Sequence, residues 1–495
     1  MTARRPHVAI IGSGFAGIAA AAALRRAGHA EFTIYERAAE VGGVWRDNTY
    51  PGAACDVPSH LYSFSFAPEP AWSRRFAQQP EILDYLRNCV RRFGLERHLR
   101  LNTAITAAEF DERTCRWRLR TGTGETVEAD VLVPAVGQLS EPLVPELPGA
   151  AEFTGTAFHS ARWDHDCDLR GKHVAVIGTG ASAVQFVPEV AARAASLVVF
   201  QRSAPHVVPR PDRAYRPWHR FLFRRVPGAQ RLGRLGNWLF FEIAARGLTT
   251  AKSIGGAFGA VSRLHRARQL PAELRREVAP DHPVGCKRVL FSSDYYPALA
   301  RPGVRVERER IERITPTGVR TADGVEHRAD VLIYGTGFDA AHFLSSMSVR
   351  GRGNRLLSRE WAGGARAYLG MAVPGFPNMF LMYGPNTNLG SGSIIHMLES
   401  QAHYIAQVVR GLRGTGGALE VREQAAERFD AEIQRRLSDS VWVSCRSWYR
   451  DADGRISTNW PGSMAEYRRR TRAPAPADFR ALAPRTAAEN EVADA

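Results

Sequence analysis

An α/β fold with two Rossmann-like dinucleotide-binding domains, the second inserted in the first and carrying a helical insertion, is what this sequence predicts. Three observations lead there. A strand, a glycine turn and a helix follow one another over His7–Ala27, and the same succession returns over Lys172–Ala192. Each is followed by a second short β-branched run, Glu31–Glu36 and Ser196–Gln201. Finally, Ala129–Pro134 (ADVLVP) and Ala329–Tyr334 (ADVLIY) echo each other, and each ends near a small-residue turn.

The first unit reads as strand, helix and strand in about 30 residues. In Gly12-Ser-Gly14-Phe-Ala16-Gly17, the first glycine permits a tight turn. The second lets a pyrophosphate approach the backbone, and the third lets helix pack on strand. Free N–H groups and the helix dipole then hold phosphates. Glu36 lies 19 residues beyond Gly17, at the end of the second strand, where a carboxylate can accept hydrogen bonds from a ribose.

The second turn is Gly178-Thr179-Gly180-Ala181-Ser182-Ala183, with alanine in the third place. Its second strand ends in Gln201-Arg202-Ser203, without an acid. A carboxylate would repel a 2′-phosphate, whereas Arg202 can grip one as a fork; the alternative is a plain surface arginine. The expectation is FAD held permanently in the first site and NADPH exchanging in the second.

The expected limits are 1–150 and 336–471 for the two parts of the FAD-binding domain, and 151–210 and 281–335 for those of the NADPH-binding domain. Residues 211–280 are rich in Arg, Leu, Phe and Trp at helical spacing, with Trp218, Phe221 and Leu222 as examples. They read as a helical insertion. Basic amphipathic helices can lie on membranes, but helices packed on the domain are expected here. Residues 472–495, rich in Ala, Pro and Glu, read as a flexible tail.

The chain of 495 residues carries a net charge of +16, almost all from arginine. Its basic residues are dispersed rather than gathered with aromatics, so a solvated surface is expected and no nucleic-acid site. The six cysteines show neither CxxC pairs nor zinc spacing. They read as reduced, with no metal and a cytoplasmic setting. No signal peptide and no apolar run of membrane-spanning length are seen.

Phe153-Thr-Gly155-Thr-Ala-Phe-His159-Ser-Ala-Arg-Trp163-Asp164 resembles the fingerprint of type I Baeyer–Villiger monooxygenases, within the flavin-containing monooxygenase superfamily. In that family the histidine sits in the linker between domains and is thought to couple their motions; a purely structural role for His159 is the alternative. The resemblance spans nearly the whole chain. It implies FAD contacts at Val44, Trp45, Asp47, Asp56, Tyr62, Ile105, Asn386 and Ile394. It implies NADP contacts at Ala54 and Cys55, and a catalytic arginine at Arg288, within Gly285-Cys286-Lys287-Arg288. Gly335, where the family often has alanine, departs from the pattern.

The implied reaction uses NADPH to reduce FAD and O₂ to form a C4a-peroxyflavin, which inserts one oxygen beside a ketone carbonyl to give an ester or lactone. Arg288 suits developing negative charge because guanidinium stays protonated; a role limited to cofactor phosphate is the alternative. Asp56 is its expected partner, since an unpaired buried charge is costly. Lys287 is expected to help with the NADPH phosphate. Heteroatom oxygenation at nitrogen or sulfur is the competing activity. A disulfide reductase would need a redox cysteine pair near the flavin, and Cys55 stands alone in sequence. A non-catalytic flavin-binding protein fits poorly with intact glycine turns and the Asp56 and Arg288 candidates.

Overall fold

The computed structural model describes residues 4–249, 252–445, 447–451 and 453–484. Two parallel sheets organise them. The first runs in the order Leu99–Arg100, Phe32–Tyr35, Val8–Ile11, Val131–Pro134. Val8 pairs with Phe32 on one side and Val131 on the other, so the strand leading to the first glycine turn is central. All four of its residues are buried, as a parallel strand covered on both faces requires. The second sheet runs Val304–Glu307, Ser196–Phe200, His173–Ile177, Val331–Tyr334, Thr156–His159, again parallel throughout.

A small antiparallel meander precedes the closing strand of each sheet. It comprises Ile105–Asp111, Arg116–Thr121 and Thr126–Ala129 in the first unit. In the second it comprises Ile311–Thr315, Gly318–Thr321 and Glu326–Arg328. The echoed Ala-Asp-Val-Leu then has a physical meaning. Asp130 Oδ2 accepts from His7 N at 2.7 Å, and Asp330 Oδ2 accepts from His173 N at 2.8 Å. Each carboxylate satisfies the backbone N–H that leads into the unit's first strand.

After Tyr334 the chain returns to the first unit. Ser348–Arg350 joins the first meander beside Ile105–Asp111. The helix Ile394–Gly411 packs against the helix Phe15–Arg26. The alanines Ala19–Ala22 of that first helix are all buried; their small side chains let it lie close to its neighbours.

One expectation is met in part and two are corrected. The helices Pro217–Arg225, Ala229–Thr249, Lys252–Gln269 and Ala272–Glu277 do form, but their apolar residues do not all pack on the domain. Phe241 and Ala244 are buried, whereas Trp218, Phe221, Leu222 and Leu232 are exposed. Helical spacing locates a stripe but not what covers it. Second, the region 472–495 is not wholly a loose tail. Phe479–Leu482 pairs antiparallel with Ala418–Val421, and Arg480 Nη2 donates to Glu420 at 2.9 Å; residues 485–495 lie outside the described residues. A four-residue strand is too short to stand out from Ala/Pro-rich surroundings. Third, the cysteines are not all reduced: Cys286 and Cys445 form a disulfide, while Cys55, Cys89, Cys115 and Cys167 are free. The bonded pair is 159 residues apart, so no spacing rule connects it.

Candidate active site

Two of the three glycines in the first turn are demanded by packing. Gly12 has φ +104°, and a Cβ there would lie 2.7 Å from Ala135 O. A Cβ on Gly17 would lie 1.9 Å from Gly12 O. Gly14 differs: its Cβ would meet nothing nearer than the Gly43 backbone at 3.6 Å. The Gly14 and Gly43 backbones thus leave an open cradle above the helix Phe15–Arg26, within whose first turn Ala16 lies. That helix has no side-chain cap at its N-terminus, so its first N–H groups and its dipole are available to an anion. Glu36 is 4% exposed. Its Oε2 accepts from Ser13 N at 3.0 Å and Ser13 Oγ at 2.7 Å; its Oε1 accepts from Ala38 N and Arg46 Nη1 at 3.0 Å each. The carboxylate thus pins the turn itself.

Val44–Asp47 forms a short helix beside this cradle. Trp45 Nε1 donates to Tyr62 Oη at 3.1 Å, and Phe15 packs edge-on against Tyr62 at 5.2 Å. Arg46 grips Asp47 through Nε at 2.8 Å while also holding Glu36. Ile105 is buried at the start of the first meander, and Ile394 opens the long helix. Asn386, at φ +56°, uses its side chain to donate to Ile456 O at 2.8 Å and Asn459 O at 3.0 Å.

The second turn repeats the first with different fittings. Gly178 has φ +107°, and a Cβ there would lie 2.5 Å from Gly335 O. A Cβ on Gly180 would meet only Gly335 O, at 3.9 Å. The helix Ala181–Ala191, which carries Ser182 and Ala183, also lacks a side-chain cap. Thr179 Oγ1 donates to Ser203 O at 3.0 Å, and Lys287 Nζ donates to Ser203 Oγ at 2.7 Å. Burial lowers the Lys287 ammonium below its ordinary value; Asp281 opposes this and the Arg202 charge reinforces it. Arg202 is exposed. Arg202, Ser203 and Lys287 therefore gather at the end of the second strand. Gln201 does not join them: its side chain is turned inward, with Nε2 donating to Glu277 O at 3.1 Å.

Arg288 and Asp56, 232 residues apart, meet between the two cradles. Nε donates to Oδ2 at 3.0 Å, and Nη2 donates to Oδ1 at 2.8 Å and to Oδ2 at 2.6 Å. The Asp56 charge holds the guanidinium above even its usual high value, with burial opposing. The side chains remain 41% and 23% exposed, beside Tyr449, which is buried, and Tyr383, which is half-buried. Burial raises both phenols, Tyr449 to about 12, and Arg288 pulls each back. The pair therefore stays partly accessible beside the two tyrosines. Burial also pushes the Cys55 thiol up, which favours its protonated form.

Gln185, on the second unit's helix, clamps this arm of the first unit. Its Nε2 donates to Ala54 O at 2.9 Å, and its Oε1 accepts from Tyr50 Oη at 2.9 Å. Gln185, Ser203, Tyr383 and Tyr449 escaped the sequence reading. Ser203 carried a signal as the neighbour of Arg202, and Tyr383 as a near neighbour of Asn386.

The fingerprint segment lies where the units join. A Cβ on Gly155 would lie 2.3 Å from Asp330 O and 2.7 Å from the Phe153 ring. Trp163 packs on Phe158 at 5.1 Å and on Phe186 at 5.4 Å. His159 ends the edge strand, and its ring lies 5.8 Å from that of Phe338. Its Nδ1 accepts from Ala161 N at 3.1 Å. Burial lowers the imidazole, with the Gly337 backbone opposing. Gly337 and Phe338 belong to the returning connector, which pairs with the outgoing one through Leu143 N to Gly337 O and Asp339 N to Glu141 O, both 2.9 Å.

Two uncapped glycine cradles flanking an arginine–aspartate pair define a flavin- and nicotinamide-dependent oxidoreductase architecture. Residues 5–239 match the family described as flavin-binding monooxygenase-like. The chain is 44% identical over 484 residues to a Baeyer–Villiger monooxygenase of Streptomyces coelicolor, covering 97% of this chain and 93% of that one. Among solved structures it is similar to an oxidised steroid monooxygenase bound to NADP, with TM-score 0.85 and 32% identity over 96% of this chain and 99% of that chain. It is also similar to a closed cyclohexanone monooxygenase, with TM-score 0.86 and 27% identity over 97% of this chain and all of that chain. The chain belongs to the Baeyer–Villiger monooxygenase family.

Proposed function

We propose that this protein is an FAD- and NADPH-dependent Baeyer–Villiger monooxygenase acting on a ketone. Ketone, O₂, NADPH and a proton become ester or lactone, NADP⁺ and water. The observation that carries the reading is the Arg288–Asp56 pair, which joins residues from the two units.

The residues fit the cofactors. The open backbone at Gly14 and the uncapped helix behind it suit the FAD pyrophosphate, with Glu36 at the ribose end. Trp45 and Tyr62 wall the flavin side. Gly180 and the helix Ala181–Ala191 suit the NADPH pyrophosphate, and Arg202, Lys287 and Ser203 suit its 2′-phosphate. FAD, once bound, supplies electron transfer from NADPH and the activation of O₂. Arg288 supplies a permanent positive charge for the carbonyl oxygen as it becomes anionic. Asp56 orients that guanidinium and keeps it compensated inside the fold. Tyr383 and Tyr449 flank the pair. His159, against Phe338 and the Gly337 backbone, positions the two units through the paired connectors. A cytoplasmic setting is part of the reading; it rests on the use of NADPH and not on the cysteines, of which Cys286 and Cys445 are bonded.

The test is incubation of the yellow holoprotein with NADPH, O₂ and a panel of cyclic ketones and thioethers. The expected product is a ketone that has gained the mass of one oxygen atom. Products confined to sulfoxides would overturn the assignment in favour of heteroatom oxygenation. Arg288→Ala is expected to keep reduction of the flavin by NADPH while losing ester formation by roughly a hundredfold or more. Ester formation at the wild-type rate in that variant would remove Arg288 from the chemistry.

A further inference from the structure

The helical insertion leaves an unusual surface. Of the 16 large hydrophobic residues exposed among the described residues, 11 fall between Trp218 and Leu264. Trp218, Phe221, Leu232 and Ile243 are 58%, 64%, 70% and 60% exposed. They follow the helices rather than scattering over them. In Ala229–Thr249, Leu232, Leu235, Leu239 and Ile243 recur every three or four residues and form one outward stripe. In Pro217–Arg225, Trp218, Phe221 and Leu222 do the same. Contiguous exposed apolar surface of this kind marks an interaction site.

Charge decides what covers it. Residues 213–272 hold twelve Lys or Arg against one acid, Glu242. That is eleven of the chain's sixteen net positive charges. Glu242 is itself buried and accepts from Ala465 N at 2.9 Å, so it puts no negative charge on the face. Arg216, Arg220, Arg224, Arg225 and Arg231 are exposed around the apolar stripe. A second copy of the chain would bring two equally basic faces together. An apolar stripe rimmed by arginines suits a layer that is apolar inside and anionic at its surface.

We propose that helices Pro217–Arg225 and Ala229–Thr249 form a docking face for an anionic phospholipid bilayer. The binding is peripheral: among the described residues no helix is long and apolar enough to cross a membrane. A helix of 21 residues lying in the interface extends about 30 Å along it. Its inner side reaches the flavin-side segment: Arg234 Nη1 donates to His60 O and Ser63 O, both 2.8 Å, on either side of Tyr62. The face that meets lipid and the flavin-side segment are thus parts of one packed unit.

The experiment is co-sedimentation of the FAD-loaded full-length protein with vesicles of phosphatidylcholine alone or mixed with phosphatidylglycerol. Binding is expected only to the anionic vesicles at low salt, weakened at least tenfold by high salt. The triple variant Phe221→Ser, Leu232→Ser, Ile243→Ser is expected to lose at least tenfold in binding while keeping its flavin and NADPH oxidation. Should that variant lose its flavin, quenching of wild-type Trp218 emission by brominated lipid, measured against Trp218→Phe, reads insertion directly. Holoprotein that stays in solution with both vesicle types overturns the proposal. So does a triple variant that binds like wild type, a Trp218 signal indifferent to brominated lipid, or a dimer held together by these same residues.

Discussion

The two glycine turns share one backbone plan and end in opposite chemistry. Counting 24 residues from the first glycine of each turn leads to Glu36 in one unit and Arg202 in the other. Glu36 is buried and tied by four protein donors. Arg202 is exposed, beside an ammonium that itself lies below its ordinary value. The packing is exchanged as well. The first unit has Gly17 in its helix and Ala135 after its closing strand; the second has Ala183 and Gly335. A Cβ on Gly335 would come within 3.2 Å of Ala183 Cβ and 3.3 Å of Phe186 Cζ. The departure at Gly335 therefore compensates for the alanine in the second turn. A rigid, internally satisfied acid suits a cofactor that stays, and an exposed cation beside a second one suits a cofactor that leaves.

Breaking the first turn is expected to have the largest effect. Gly17→Ala forces a Cβ to 1.9 Å from a backbone oxygen and should yield colourless or insoluble protein, read from the flavin absorbance of the purified chain. Ala183→Gly, the same position in the second unit, should remain yellow.

The first unit also carries a pH liability. His60 and His396 are both buried, and burial pushes each down to about 4 from 6.5. The unfolded chain then takes up these protons at higher pH than the folded one. No penalty exists above pH 6.5; it builds as pH falls toward 4, reaching roughly 3 kcal/mol for each imidazole. Thermal unfolding from pH 7 to 4 should show this loss, and His396→Gln should flatten part of it. An unchanged slope in that variant would assign the acid sensitivity to other groups.

Arg202→Gln sharpens the contrast between the sites. It should raise KM for NADPH by roughly 10- to 100-fold, the worth of a hydrogen bond to a charged group, and leave NADH and flavin content unchanged. Equal effects on NADPH and NADH would place Arg202 away from the 2′-phosphate. The smallest effect concerns the exchanged pair. Gly335→Ala should cost about 1–3 kcal/mol by overpacking. The double variant Ala183→Gly, Gly335→Ala should recover much of it in denaturant unfolding; simple additivity would show that the two positions do not communicate.

Much of the site was legible because its parts are local. Gly12, Gly14, Gly17 and Glu36 fall on one strand–turn–helix–strand unit, where spacing fixes position. The Arg288–Asp56 pair came from resemblance, since nothing local connects residues 232 apart. Gln185 and Tyr449 were invisible because a clamp or a wall is defined by what lies opposite it, while Ser203 and Tyr383 merely adjoined readable residues. Gln201 shows the converse: its place at a strand end was readable, but the inward turn of its side chain was not.

By itself the sequence determined the two βαβ units, the place of their glycine turns and the sign of the charge at each strand end. These depend on interactions within about 30 residues, so residue order suffices. Only the tertiary structure decided that Arg288 meets Asp56, that Cys286 bonds to Cys445, and that the stripe from Leu232 to Ile243 faces outward. Each is a matter of which surfaces the packed sheets bring together or leave uncovered, and that is a property of the assembled chain.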